Sequence, residues 1–384
     1  MKKSLALIVA TLMVATLAAC GGNSTAPASS AAPASSAAPA SSEAASSEAA
    51  SSEAAAPATL DGSGITIGAC IYKFDDTFMT GVRGSMDDTA KALGATLEIV
   101  DSQNKQPTQN DQVDTYITKG VNALAVNPVD LTAAGPLVDK AMAENLPIVF
   151  LNRQPSEDDM NKYDKAWYVG ARAEESGTMS GEIIVDYFKA NPDADKNGDG
   201  KIQYIMLQGE QGHQDATLRS KYSIEAIQAA GYEVEDLGTD TANWDKVQAT
   251  DKMKAFIASA GIDKIEAVLA NNDDMALGAI EALKAEGYNT GDPAKFIPVV
   301  GVDATAPALE SMSKGELLGT VLNDAQNQGK ATINVAVAAA QGLEISKDTV
   351  GYDVSDADGN VVAGGKYIWV PYVKVTTENY KDFM

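Results

Sequence analysis

The sequence predicts an α/β protein of two doubly wound, Rossmann-like lobes joined by a hinge of three crossings. Three observations predict it. Short apolar runs of strand length alternate with longer amphipathic stretches, the pattern of a parallel sheet covered by helices on both faces. The alternation closes near Trp167–Val169 and then starts a second round. About 325 residues follow the N-terminal low-complexity region, more than a single core organises.

In the first round, strands are expected at Ile65–Tyr72, Thr96–Val100, Ala123–Val126 and Pro147–Leu151, with helices between them at about 78–93, 107–119 and 133–144. In the second, helices are expected at about 173–189, 215–230, 243–259, 273–286 and 305–313. Their intervening strands are Ile202–Leu207, Glu233–Leu237, Ala267–Ala270 and Ile297–Val300. The tail supplies a strand at Leu318–Leu322, a helix at about 325–341 and late strands near Val354 and at Tyr367–Val373, too little for a third domain. Its simplest use is to return to the first lobe and come back to the second. The expected lobes are therefore 61–171 plus about 324–360, and 172–323 plus about 361–384. A cleft between such lobes is the natural ligand site.

The chain opens with Lys2 and Lys3, an apolar stretch from Leu5 to Leu17, and then Ala18, Ala19 and Cys20, which reads as a signal peptide over 1–20. The stretch is too short for a comfortable membrane span. Leu17-Ala-Ala-Cys20 further resembles the bacterial lipobox, whose cysteine becomes the lipidated first residue; the plainer alternative is an ordinary secretory signal. Residues 21–60 are almost only Ala, Ser, Pro and Glu, with Ser-Ser-Glu-Ala-Ala recurring at 41, 46 and 51. Such a composition cannot offset its ordering entropy by burial, so it is expected to be a disordered tether spanning roughly 35 Å. The expected location is extracytoplasmic, with the membrane reached through the lipid anchor only. A net charge of −24 argues against nucleic-acid binding, which requires basic groups at phosphates. With Cys20 lipidated, Cys70 has no internal disulfide partner and reads as a buried, inert thiol.

The most informative stretch runs from Asp195 to Arg219. Asp195, Asn197 and Asp199 place oxygens at every second residue before Gly200, where a chain wrapping a hard cation turns sharply. A solvated acidic turn is the plainer reading. Position 12 of an EF-hand would be Met206, where that loop needs a bidentate Glu, so a complete EF-hand is excluded. The apolar run Ile202–Leu207 follows, and then Gly209 and Gly212 precede a helix near Asp215. His213, Asp215 and Arg219 thereby stand at the carboxyl end of a strand, where open α/β sheets bind ligands.

Several motifs, taken in order, resemble the periplasmic galactose/glucose-binding proteins of ABC sugar transporters. They are I-Y-K-F-D-D-T-F at 71–78, D-S-Q-N at 101–104, Q-N-D-Q-V-D at 109–114, G-E-Q-G-H-Q-D at 209–215, A-N-N-D at 270–273, G-V-D-A at 301–304 and G-T-V-L-N-D-A at 319–325. The resemblance covers about Ile65 to Val373 and implies the type I periplasmic binding protein fold, without catalysis. It implies sugar contacts from Asp76, Asn152, His213, Asp215, Arg219, Asn272, Asp303 and Asn323, with aromatic faces from Phe78 and Trp244. It also implies a structural calcium held by Asp195, Asn197, Asp199, the Lys201 carbonyl, Gln203 and the distant Glu266. Gln211 and Gln214 stand where family members often carry proline, which makes the loop around His213 less rigid.

The chemistry suits those residues. A pyranose hydroxyl both donates and accepts, so carboxylates, amides, a guanidinium and a histidine match it, while aromatic faces suit its C–H surfaces. Each residue also has a plainer role: Asp76 as a helix cap, Trp244 as core, Asp215 and Arg219 as a surface pair four residues apart. In Asn271-Asn272-Asp273, Asp273 is expected to cap the helix and Asn272 to face the cleft. His213 is the sole histidine, which excludes histidine-rich metal chemistry. The expected function is a monomeric, lipid-anchored receptor that delivers D-galactose or D-glucose to an ABC permease. A sugar sensor for a membrane receptor is the alternative, and a glycoside hydrolase using Asp76, Asp215 and Asp303 a more distant one.

Overall fold

The computed structural model describes residues 60–384. The signal peptide, Cys20 and all but the last residue of the tether lie outside the described residues.

The first lobe carries β1 (Thr66–Ile71), α1 (Thr77–Leu93), β2 (Thr96–Asp101), α2 (Gln106–Lys119), β3 (Ala123–Val126), α3 (Ala134–Ala143), β4 (Ile148–Leu151), α4 (Glu157–Asn161) and β5 (Ala166–Gly170). The second carries α5 (Ala173–Ala190), β6 (Lys201–Gln208), α6 (Gln214–Ala229), β7 (Glu233–Thr241), α7 (Lys246–Ala260), β8 (Ala267–Ala270), α8 (Asp273–Ala285), β9 (Val299–Val300), α9 (Ala306–Ser313) and β10 (Thr320–Leu322). The tail adds α10 (Ala325–Ala340), α11 (Lys347–Val350), β11 (Tyr367–Trp369) and β12 (Val373–Val375).

The period-two alternation of β1 shows why the sheets are doubly wound. Ile67, Ala69 and Ile71 pack with residues of α1 and α10, whereas Cys70 joins a second cluster with α2 and α3 on the opposite face. In the second lobe Ile205 and Leu207 pack with α7, α8 and α9, while Ile202, Tyr204 and Met206 pack with α5 and Ile227 of α6. A buried apolar side chain contributes roughly 1.5–3 kcal/mol, so these faces hold each sheet between its helices.

The first sheet has the order β11-β5-β4-β3-β1-β2, all parallel. The second has β7-β6-β8-β9, also parallel. A parallel bridge from Val300 to Gly319 links it to β10, against which β12 runs antiparallel. The chain passes between lobes after β5, after β10 and between β11 and β12. This is the type I periplasmic binding protein architecture.

Three details differ from the sequence reading. The expected Tyr367–Val373 strand is two: β11 completes the first sheet and β12 belongs to the second lobe. The first lobe therefore extends to Trp369 rather than about 360. Near Val354 there is no extended strand, only isolated bridges from Ser355 to Val361 and Tyr367. Helix α7 starts at Lys246 instead of about 243, because Asn243 and Trp244 take positive φ (52° and 62°) and Asp245 caps it through Gln248 N.

Candidate functional site

Both sheets reverse their strand order, at β1/β3 in the first and at β6/β8 in the second, and loops at the carboxyl ends of their strands face one cleft. Asp76 follows β1, Asn152 follows β4, His213 follows β6, Trp244 follows β7, Asn272 follows β8, Asp303 follows β9 and Asn323 follows β10. The cleft has an empty volume of about 360 Å³, its mouth included. Its lining brings together Asp76, Phe78, Asn152, His213, Asp215, Arg219, Trp244, Asn272, Asp303 and Asn323. Tyr72, Met79 and Arg153 complete it.

Several of these side chains also build the helices that position them. Asp76 caps α1, accepting from Met79 N at 2.7 Å, and its other oxygen accepts from the Tyr72 hydroxyl at 2.5 Å. Capping and cleft-lining are thus compatible in one carboxylate. His213 caps α6, its Nδ1 accepting from Asp215 N at 3.1 Å. Burial pushes its pKa well below the usual imidazole range, and the charges of Arg153 and Arg219 add to the effect. The ring is therefore neutral, with the proton on Nε2. It meets Trp244 edge-on, with centroids 5.0 Å apart.

Asn272, not Asp273, caps α8, accepting from Met275 N at 3.0 Å. Asp273 instead lies buried and accepts from Thr305 N at 2.7 Å, Thr305 Oγ1 at 3.1 Å and Thr320 Oγ1 at 2.6 Å. It ties down the loop that carries Asp303. Asn272 lines the cleft, as the sequence reading expected, but it also makes the cap that the reading gave to Asp273; either side chain makes a good cap, and only Thr305 and Thr320 decide which one turns inward.

Arg219 is buried, donating to the Asn271 carbonyl at 2.8 Å, Asp215 at 3.1 Å and the Tyr372 hydroxyl at 3.0 Å. The Asp215–Arg219 pair is thus a cleft element rather than a surface pair. Burial raises the Asp215 carboxyl, with Arg219 and Arg153 pulling it back. Burial also holds the Asp303 carboxyl well above its usual range; Arg219 opposes this, and Asp273 and Asp76 reinforce it. Asp303 accepts from Asn323 Nδ2 at 3.2 Å, and Asn323 accepts from Gln328 at 2.6 Å. Two buried carboxyls converge where hydroxyl donors on a ligand would stabilise their charged forms.

The backbone is strained at the same place. Asp303 has φ +122°, Asn152 +60° and Trp244 +62°, a region that non-glycine residues rarely occupy. Trp244 is seated by Gly209, where a Cβ would come within 2.1 Å of the indole.

Sequence reasoning missed Tyr72, Met79 and Arg153. Their motif neighbours were legible, but a tyrosine and a methionine in apolar surroundings carry no sign of facing a cavity. Arg153 adjoins Asn152, and its position beside the cleft follows from a turn that only the strained Asn152 creates.

A family model described as the periplasmic binding protein domain matches residues 67–344. The chain belongs to this family. A D-galactose/methyl-galactoside binding periplasmic protein of Haemophilus influenzae is 44% identical over 319 residues, spanning 83% of this chain and 91% of that relative. A xylitol-binding protein of Mycolicibacterium smegmatis is 33% identical over 284 residues, 74% of each chain. A solved ABC transporter solute-binding protein of Bacillus halodurans with bound myo-inositol has a TM-score of 0.67 at 29% identity, covering 85% of this chain and 99% of that one. The protein is accordingly an extracytoplasmic binding protein of the ABC-transporter class, not an enzyme.

In this periplasmic binding protein the loop read as a cation site packs on the second sheet. Glu266 bridges the segment, accepting from Lys196 N at 2.6 Å and Gln203 N at 3.1 Å. Asp195 accepts from Gly198 N at 2.7 Å and Gly200 N at 2.9 Å, and Asp199 from Lys201 N and the Gln203 amide, both at 2.9 Å. Among the described residues no three Asp, Glu, His or Cys side chains converge as a metal cluster. The donor set is instead mixed, and two observations fit a hard cation. Gln203 Oε1 is buried without a hydrogen-bond partner. Glu266 is raised by burial, with Asp195 adding repulsion that a cation would remove.

Cys70 is buried on β1 between β2 and β3 of the first sheet, and burial pushes its thiol up to about 12, so it is inert at neutral pH.

Proposed function

We propose that this protein captures D-galactose or D-glucose between its lobes and delivers it to an ABC permease. The observation that carries the reading is the cleft lining itself. Carboxylates, amides, a neutral histidine and a buried arginine surround one volume, with Phe78 from the first lobe and Trp244 from the second. Such a set matches hydroxyls that donate and accept around a ring with apolar faces. The relative from Haemophilus influenzae, which is named for galactose and methyl-galactoside, supports a hexose.

Two further features belong to the same proposal. A calcium ion held by Asp195, Asn197, Asp199, the Lys201 carbonyl, Gln203 and Glu266 would fasten the loop to the sheet that presents Asn272; its role is structural. Lipidation at Cys20 would tether the domain to the membrane, keeping it near its permease.

The test is tryptophan fluorescence of a soluble domain starting near Leu60, titrated with galactose, glucose and ribose. Saturation by a hexose at micromolar levels or below, with ribose silent, is the expected outcome. A response to ribose alone would move the ligand to another sugar class.

A further inference from the structure

We propose that Arg153 and Glu210 form a charged latch between the lobes that sets how long a bound ligand is held, without deciding which ligand is chosen. Arg153 stands at the end of β4 in the first lobe, and Glu210 follows β6 in the second. Arg153 Nη2 lies 2.9 Å from a Glu210 carboxylate oxygen, with side chains 4% and 22% exposed. Among the described residues, the other contacts across the mouth are neutral at one end or both. Thr77 donates to Asp274 at 2.7 Å, and Gln214 donates to Gln154 at 3.1 Å. Asn104 Nδ2 reaches the second Glu210 oxygen at 3.5 Å.

Arg153 is held ready for this pairing from its own lobe. Its guanidinium stacks over the Tyr72 ring at 3.9 Å, and Nη1 donates to the Val129 carbonyl at 2.8 Å. Tyr72 in turn holds Asp76. The partner that must arrive is therefore Glu210 alone, on the loop that leads to His213. Arg153 lines the cleft and Glu210 does not, so the charge that Glu210 brings on closure slows release of every ligand by a similar factor without adding a contact to any of them. Arg153 and Glu210 are positioning residues in this sense.

The ligand for the test rests on the sugar-capture reading; the latch itself does not. In stopped-flow fluorescence, Glu210→Gln should raise the dissociation rate about tenfold for galactose and glucose alike, with association within about twofold. Glu210→Asp should recover part of the loss. Rates within twofold of wild type overturn the latch, as does any change in the galactose-to-glucose affinity ratio. The ligand-independent arm is single-molecule FRET on ligand-free protein carrying Met142→Cys and Val247→Cys, exposed positions on α3 and α7. The closed fraction should be about tenfold higher with Glu210 than with Gln at that position. Equal fractions overturn the latch even if no hexose binds, whereas unequal fractions with no hexose bound would uphold it and reject the sugar reading.

Discussion

Asp303 offers a test in which stability and binding should move in opposite directions. Its φ of +122° is costly for any residue with a Cβ, about 1–3 kcal/mol, and its carboxyl is buried and held well above its usual range. Asp303→Gly removes the strain and the desolvated acid. Against that stand the bond from Asn323, about 1 kcal/mol, and the added chain entropy of glycine, about 0.5–1 kcal/mol. Strain relief less these two costs is about −1 to +1.5 kcal/mol, and removing the desolvated acid adds roughly 1 kcal/mol, so the net effect is about 0 to 2.5 kcal/mol of added stability. For about 325 folded residues the unfolding entropy is about 0.7 kcal/mol per degree, so the melting temperature should hold or rise by up to about 4 °C. Sugar affinity should fall at least a hundredfold (~10²), the loss of two charge-assisted bonds of about 1.5–3 kcal/mol each. Asp303→Ala should lose binding equally but melt below the glycine variant, because it keeps the Cβ. Thermal unfolding followed by circular dichroism, with calorimetric titration of galactose, reads both effects. A glycine variant that melts several degrees below wild type would show that the loop is not held under strain. An affinity within tenfold of wild type would remove Asp303 from the ligand.

Other consequences are open to equally direct measurement. Gly209→Ala places a Cβ 2.1 Å from the Trp244 indole and should weaken sugar binding by at least about tenfold while costing roughly 1–3 kcal/mol of stability; unaltered calorimetric affinity would mean that Trp244 does not serve the ligand. Chelation of calcium should lower the melting temperature of the wild-type domain, and Glu266→Gln should abolish that difference; a chelator-insensitive wild type would remove the ion from the proposal. Burial raises Asp273 from 3.8 to about 7. Between those values the folded state keeps a proton that the unfolded chain has released, so this group's contribution to stability is present at low pH and lost as pH rises toward about 7. Asp273→Asn should flatten that part of the denaturation-midpoint profile, and an identical slope would reject the assignment.

Much of the architecture is legible in the chain because hydrophobic periodicity reports burial: a parallel strand buried on both faces leaves a continuous apolar run, and the helix that covers it leaves an amphipathic one. Helix ends were nearly as legible where a cap is unambiguous, as at Asp76. Where two caps stand side by side, as at Asn272 and Asp273, local chemistry does not choose between them; the threonines that claim Asp273 lie 32 and 47 residues away in sequence. The start of α7 failed for a related reason, since no propensity anticipates that Asn243 and Trp244 take positive φ.

By itself, then, the sequence determined the two-lobed α/β class, the charge that disfavours nucleic acid, and the polar and aromatic residues from which a cleft is assembled. Those properties rest on local pattern and composition, which act on each segment independently. Only the tertiary structure decided that Tyr72, Met79 and Arg153 join that cleft, that Asp273 turns inward, and that Arg153 meets Glu210 from the other lobe. Each depends on groups brought together by the packing of whole sheets, and their energies arise from desolvation and strain that exist only once the lobes have formed.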